Sequence, residues 1–368
     1  MREVARLFLR LGVTAFGGPA AHIALMEREC VERRRWIARD QFLDLLGVAS
    51  LIPGPTSTEL AMHIGRLRAG WPGLVVAGLA FIAPAALLVG GLAVLYVRTG
   101  DLPVTRGVLA AVQPVVVVMV LQALLPLGRG ALRSAPLVAL AAAAIAAVLA
   151  GVPELIVLLA AGLVRLAGRI TLTALAVVVS ASVLLAAEPI ARAATLDVSL
   201  YFLRVGSLLF GSGYVLLPVL QGDLVDRLGW LSNRQLLDAI AAGQATPGPV
   251  FTTATFIGYL LGGPSTALAA TVAMFLPALV FSAIASATLD RLRASRRARA
   301  FLDGVNAAAV ALIAVVVMTL GRVAFAEPIG LAIGAAAALA IFAARINATV
   351  VLLLAAVLGA ILGLGRSG

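Results

Sequence analysis

The segment Phe8-Leu9-Arg10-Leu11-Gly12 returns 194 residues later as Phe202-Leu203-Arg204-Val205-Gly206. The same offset carries Phe16-Gly17-Gly18 onto Phe210-Gly211-Ser212, Trp36 onto Trp230, Gln41 and Asp44 onto Gln235 and Asp238, and Pro53-Gly54-Pro55 onto Pro247-Gly248-Pro249. At offset 193, Pro84 meets Pro277, Gln113 meets Asn306, and Leu127-Gly128-Arg129 meets Leu320-Gly321-Arg322. A register held this long makes the chain two copies of one unit, 1–168 and 195–368, with a linking segment over 169–194. Whatever fold one copy takes, the other is expected to take as well.

Composition identifies the solvent these units meet. Hydrophobic residues make up 62% of the chain and charged residues 12%, against about 25% charged in an ordinary soluble domain. Apolar runs such as 136–152 and 305–320 are continuous rather than periodic, which calls for lipid-facing helices. The expected class is an all-α polytopic membrane protein with the lipid bilayer as its main partner. All 28 basic residues are arginine, set against 17 acidic ones. In so apolar a chain this excess marks cytoplasmic loops rather than a nucleic-acid surface, so no nucleic-acid partner is expected.

The lone cysteine (Cys30) and two histidines (His22, His63) leave no disulfide framework, zinc cluster, haem or iron–sulfur motif. Without any lysine there is no Walker-type phosphate loop. No cofactor, no metal and no enzymatic activity are expected. No cleavable leader is expected either, because the apolar run after the basic start breaks at Gly17-Gly18-Pro19 and then meets charge.

Each copy has the same helical pattern. Element one (8–26 and 202–220) is interrupted at Gly17-Gly18-Pro19 and at Gly211-Ser212-Gly213. A charged stretch follows (27–41 and 221–235), and element two (42–65 and 236–260) is broken by Pro-Gly-Pro. Four uninterrupted spans complete the first copy (73–97, 107–127, 134–151, 153–168) and four the second (266–289, 301–323, 328–344, 347–364), with one more at 170–187. Arginine placement sets the topology. If both broken elements crossed fully, Arg28, Arg33, Arg34, Arg35 and Arg39 would face outside, against the positive-inside tendency. Re-entrant hairpins, folding back at each break, keep them with a cytoplasmic N-terminus, and the linking span then inverts the second copy. Thirteen full crossings would invert it equally.

Inverted repeats with broken helices are the signature of secondary transporters. Broken backbone survives in hydrocarbon only where protein or a water-filled cavity surrounds it. Each break exposes a helix N-terminus with donors and about half a positive charge, so converging breaks suit an anion.

The strings FGGPAAHIALMERE, FLDLLGVASLIPGPTSTELAMHIG, FGSGYVLLPVLQGDLV and GQATPGPVFTTATFIGY resemble the chromate ion transporter family, in both halves and in order, as in its long two-domain members. The resemblance implies a secondary active transporter in the bacterial inner membrane. It would export chromate, a tetrahedral dianion, by alternating access and so confer chromate resistance. Chromate and sulfate share shape and charge, and hydrogen bonds discriminate poorly between such isosteres. A sulfate or other oxyanion transporter, or a channel of the same architecture, therefore stays open. A membrane-embedded reductase is the remaining alternative, and one cysteine without a cofactor motif argues against it. A homodimer is left open.

The substrate-binding candidates are the breaks themselves. They comprise Gly17, Gly18 and Pro19; Pro53, Gly54 and Pro55 with the hydroxyls of Thr56, Ser57 and Thr58; Gly211, Ser212 and Gly213; and Pro247, Gly248 and Pro249 with Thr252 and Thr253. Arg10 and Arg204, in matching apolar runs, either face the anion or snorkel to an interface. His22, beside the first break, is a further candidate, and His63 a weaker one. Glu59, one turn into its helix, is the coupling candidate; its counterpart is the neutral Thr253. A salt bridge to an arginine such as Arg10 is the structural alternative for Glu59. Asp44 and Asp238 are expected to cap or anchor element two, and Gln113 and Asn306 to hydrogen-bond between helices. Cys30 is expected to carry no chemistry.

Overall fold

A computed structural model describes residues 1–16, 18–100, 102–167, 194–210, 213–287 and 296–365. Gly17, Gly211 and Ser212 lie outside the described residues, as does the linking span expected over 170–187. The elements of the first copy are α1 (Arg2–Thr14), α2 (Gly18–Glu27), α3 (Arg39–Ala49), α4 (Thr56–Thr99), α5 (Pro103–Ala131), α6 (Ala135–Leu149) and α7 (Glu154–Leu166). The second copy holds α8 (Thr195–Leu208), α9 (Leu216–Leu220), α10 (Asn233–Ala245), α11 (Thr253–Ala287), α12 (Arg296–Ala324), α13 (Pro328–Ala338) and α14 (Ala348–Gly365). Among the described residues the chain is all-helical apart from an isolated antiparallel bridge between Pro53 and Phe210.

The breaks fall where proline and glycine put them. Proline lacks the N–H that would continue a helix, so α3 stops before Pro53 and α4 starts after Pro55; α10 and α11 flank Pro247–Pro249 alike. Both α2 and α9 run into a π turn, Arg28–Arg33 and Gln221–Arg227. The gaps expected between element two and the following span, 66–72 and 261–265, are each a tight turn. α4 contains a sharp reversal at Ala69–Gly70 (Gly70 φ 68°, ψ −160°), and α11 the same at Gly262–Gly263 (Gly263 φ 74°, ψ −159°). Positive φ is cheap only for glycine. Each element is therefore two helices doubled back on themselves: Met62 packs on Gly78, and the backbones of Gly65 and Gly73 touch.

Among the described residues, four stretches are long and apolar enough to cross a bilayer: Thr56–Thr99, Pro103–Ala131, Val250–Ser286 and Arg297–Ala324. Large exposed side chains such as Leu87 (78% exposed) and Leu149 (74%) belong on a lipid-facing surface, and the chain is a multi-pass membrane protein. The spans expected over 134–151 and 153–168 come out shorter. α6 has 15 residues and α7 has 13, about 22 and 20 Å at 1.5 Å per residue against a core of about 30 Å. Gly151 (φ 87°) and Pro153 turn the chain between them.

Packing between the copies is reciprocal. α5 lies along α14, with Gly107 against Gly359 and Gly363, while α12 lies along α7, with Gly304 against Ala161. α13 packs on α5 as α6 packs on α12. Within each copy the first helix crosses the long one at a glycine, Gly12 on the Phe81 carbonyl and Gly206 on that of Met274. Every such contact has its mate with the copies exchanged, the relation that a two-fold rotation generates.

Candidate functional site

The four breaks meet. The Gly54 N–H donates to the Leu209 carbonyl at 2.8 Å, and the Gly248 N–H donates to the Ala15 carbonyl at 3.0 Å. These are one contact made twice, since Ala15 matches Leu209 and Gly54 matches Gly248. The second break of each copy is thus closed by the first break of the other. Gly18 sits under the Tyr214 hydroxyl, which brings the remaining limbs to the same junction.

His22 ties this junction together. Its Nε2 lies 3.0 Å from the Ala15 carbonyl and its Nδ1 3.3 Å from Ser57 Oγ. A carbonyl only accepts, so Nε2 carries the proton and Nδ1 accepts from the serine hydroxyl. Thr252 and Thr253 are also committed, their hydroxyls donating to Pro249 and Val250 carbonyls at 2.8 Å. The first copy is different. Thr58 and Glu59 are fully buried, their N–H groups return to the Pro55 carbonyl at 2.8 and 3.1 Å, and the Thr58 hydroxyl and both Glu59 oxygens have no hydrogen-bond partner. Glu59 packs against Gly54 at the break. On the other side, Gln244 lies beside Tyr214 with its amide nitrogen buried and unpartnered. Buried polar atoms are rarely left unsatisfied in native proteins, and here a donor stands at each flank of the junction with one carboxyl between breaks.

Arg10 lies elsewhere. It pairs with Glu29 at 2.6 Å, and its side chain is 44% exposed; Arg204 is exposed as well. Glu29 also holds Arg33 (3.1 Å) and Arg34 (3.3 Å). The salt bridge considered between Glu59 and Arg10 is therefore replaced by one inside the charged loop. There Arg34 and Arg68 lie over Trp36, both at 5.3 Å, and Arg66 stacks on Trp71 at 3.7 Å. Burial pushes the Glu29 carboxyl up, but hydrogen bonds from Arg10, Arg33 and Arg34 outweigh it and hold it below the usual carboxylate range. A depressed carboxyl stabilises the fold above its unfolded pKa and loses that contribution as pH falls through its folded value. Glu29→Gln is accordingly expected to cost about 2 kcal/mol at neutral pH and to flatten the acid limb of a thermal-melting profile. Beside it Cys30 is fully buried, and burial pushes its thiol up to about 12. Because the thiolate is the reactive form, maleimide labelling of the native protein at pH 7 should be negligible and should appear on denaturation.

Asp238 is not a cap. Ser232 and Gln235 form the capping box of α10 (Gln235 N–H to Ser232 Oγ 3.2 Å, Ser232 N–H to Gln235 Oε1 2.9 Å). Asp238 instead accepts from Gln113 at 2.8 Å and from the Tyr96 hydroxyl at 3.1 Å, anchoring α10 to the first copy. The interhelical role expected of Gln113 is realised in this bond. The trio forms the floor of a cavity of about 440 Å³ whose mouth carries the exposed Arg106, Arg234 and Glu327. Asp44, the counterpart of Asp238, is exposed. Sequence reasoning missed Tyr96, Arg106, Arg234, Tyr214, Gln244 and Glu327. Only Gln244, three residues before a Pro-Gly-Pro break in an apolar run, carried a signal. Among the described residues no cluster of His, Cys, Asp and Glu could hold a metal ion.

Comparison with known proteins follows the repeat. A family model described as chromate transporter matches residues 2–166 and again 196–360. The chain is 35% identical to a chromate transport protein of Pseudomonas aeruginosa, covering 96% of this chain and 90% of that protein. It is 30% identical to a chromate transport protein of Cupriavidus metallidurans, over 88% and 83%, and 31% identical to a probable chromate transport protein of Synechococcus elongatus, over 88% and 85%. No solved structure matches. With the family model covering both copies, the chain belongs to the chromate transporter family.

Proposed function

We propose that this protein is a secondary active transporter that exports chromate, or a closely related tetrahedral dianion, across the inner membrane, with its N-terminus in the cytoplasm. The carrying observation is the reciprocal crossing of the four breaks, where Gly54 meets Leu209 and Gly248 meets Ala15 beside the unpartnered Thr58 hydroxyl, Glu59 carboxyl oxygens and Gln244 amide nitrogen. We place the anion at that junction and read the units as 1–168 and 195–368, linked over 169–194 and inverted relative to each other. Helix length supports the re-entrant reading. α1, α3 and α10 have 13, 11 and 13 residues, about 16–20 Å, which reaches part-way into a core of about 30 Å. Alternating access would rock one unit against the other about this crossing.

Protonation of Glu59 removes a negative charge beside the dianion, so proton and anion reinforce each other's binding, and the coupling is reciprocal. A dianion carrying one proton has net charge −1, and a potential negative inside drives it outward by about 2.3 kcal/mol per 100 mV. The test is uptake of labelled chromate into inverted vesicles under imposed pH or potential gradients, with sulfate as competitor. Gradient-stimulated chromate uptake is expected. Robust sulfate flux without gradient-stimulated chromate flux would overturn the reading.

A further inference from the structure

His63 lies one helical turn beyond Glu59, on the same face of α4. It is buried (1% exposed), its Nδ1 is 3.0 Å from Ser286 Oγ, and its Nε2 has no hydrogen-bond partner. The hydrogen bonds fix which nitrogen is free. Ser286 donates its hydroxyl proton to the Ser282 carbonyl at 2.7 Å, so it accepts from His63, and Nδ1 carries the hydrogen. Nε2 is then a bare lone pair inside the protein. Across the interface, Ala278, Ser282 and Ser286 recur every fourth residue on α11. Ala278 lies against Gly54, which Glu59 also touches, and Ser286 against His63. Ser282 therefore stands between them, fully buried, with an unpartnered hydroxyl. One turn past His63 the strip reaches the surface at Arg66, Leu67 and Arg68.

We infer that Glu59, Ser282 and His63 form a proton path from the break junction to the turn at Ala69–Gly70. The inference rests on the coupling role given to Glu59 above and adds the route by which its proton arrives from the cytoplasmic side, where the re-entrant reading puts the α4 turn. In the loading step His63 Nε2 takes a proton from water at that turn and becomes an imidazolium. Its new N–H bond then breaks as a Glu59 O–H bond forms, through the Ser282 hydroxyl once these side chains close on one another, leaving a neutral ring and a neutral carboxyl. Release to the other side follows alternating access at the junction and does not use this path. Among the described residues the charged group on the strip nearest the ring is Arg66, one turn past His63, whose guanidinium opposes a lasting positive charge on the imidazole. The charged side chains of α1 (Arg2, Glu3, Arg6, Arg10) and α3 (Arg39, Asp40, Asp44) are exposed, and His22 on α2 is held by Ser57 and Ala15. The second half of α4 carries only Arg98, near its far end, and α11 contributes none. Arg66 is stacked on Trp71 and Arg68 paired with Glu3.

The experiment uses the full chain in proteoliposomes with labelled chromate. It compares uptake driven by a pH gradient with chromate–chromate exchange at zero gradient, which needs no net proton delivery. His63→Gln is expected to slow gradient-driven uptake at least tenfold and to leave exchange within twofold, and added imidazole to restore much of the lost rate. Ser286→Ala, which keeps the ring but frees its tautomer, is expected to shift the pH optimum of uptake with exchange retained. Undiminished gradient-driven uptake in His63→Gln, or equal loss of both fluxes without imidazole rescue and with an unshifted optimum in Ser286→Ala, would overturn the path. If Glu59→Gln uncouples transport while His63→Gln behaves as wild type, only the route falls. If wild type moves no chromate under any gradient, the functional reading falls with it.

Discussion

Glu59→Gln is expected to lower gradient-driven chromate transport at least tenfold and to remove the pH dependence of chromate binding, while binding itself persists. Glutamine keeps the shape of the carboxylic acid and cannot release a proton, so the variant is fixed in the uncharged, anion-accepting form. In wild type, chromate affinity should rise as pH falls, because protonation deletes a repulsion beside the dianion. In the variant the same titration should be flat. A sloping titration in Glu59→Gln would assign the coupling proton to another group. Measured in detergent by competition binding at pH values above chromate's own protonation range, where the ligand stays a dianion, the result separates binding from coupling without a gradient. The Glu59 counterpart, Thr253, is bonded to Val250, so Thr253→Val should leave the slope intact.

The second large effect concerns the crossing of the breaks. Gly54 has φ 131° and Gly248 φ 94°. A Cβ on Gly54 would lie 2.9 Å from the Ala278 Cβ and would run into the Glu59 carboxyl, and one on Gly248 would lie 2.8 Å from the Ala85 Cβ. Neither the torsion nor the space admits a side chain. Gly54→Ala and Gly248→Ala are each expected to destabilise the protein by about 3 kcal/mol, adding backbone strain of about 1–2 to overpacking of about 1–3, and to abolish transport. Gly47→Ala supplies the control. It lies inside α3 with nothing near its added methyl, and alanine there should be neutral or stabilising by up to about 1 kcal/mol. A melting series in detergent reads all three, and an unchanged melting temperature in Gly248→Ala would contradict the crossing.

Much of this is legible in the amino-acid sequence, for a physical reason. Proline and glycine act locally, so the two Pro-Gly-Pro breaks and the two halves of element one could be placed within a few residues. Tertiary pairing is not local. Arg10 sits in an apolar run and reads as an intramembrane charge until Glu29, nineteen residues on, folds beside it. The reversal at Gly70 falls in the gap left between element two, ending at 65, and the span from 73, where Arg66, Arg68, Gly70 and Pro72 interrupt the apolar run. The Gly70 φ of 68° shows that the chain turns there. His63 read as a lesser candidate than His22. The hydrogen bonds set the two apart in a way the sequence does not show: both nitrogens of His22 are engaged and one of His63 is bare. Asp238 had the right role as an anchor and the wrong partner as a cap, because its bonds to Tyr96 and Gln113 span the two copies.

The exchange of hydrogen bonds between breaks has a consequence for how such a protein could have arisen. Each unit alone is unfinished: its Pro-Gly-Pro amide and its first-break carbonyl find partners only in the other unit. In lipid each unmet group costs several kcal/mol, so a polypeptide with a single unit would have to capture a second one before it was stable. If the two were identical chains, any carboxyl at the crossing would occur twice, and two such groups would crowd one anion. Joining the units on one polypeptide makes their encounter intramolecular and also frees them to differ. Glu59 on one side and Thr253 on the other is that freedom in use, a single acidic group in an otherwise two-fold frame.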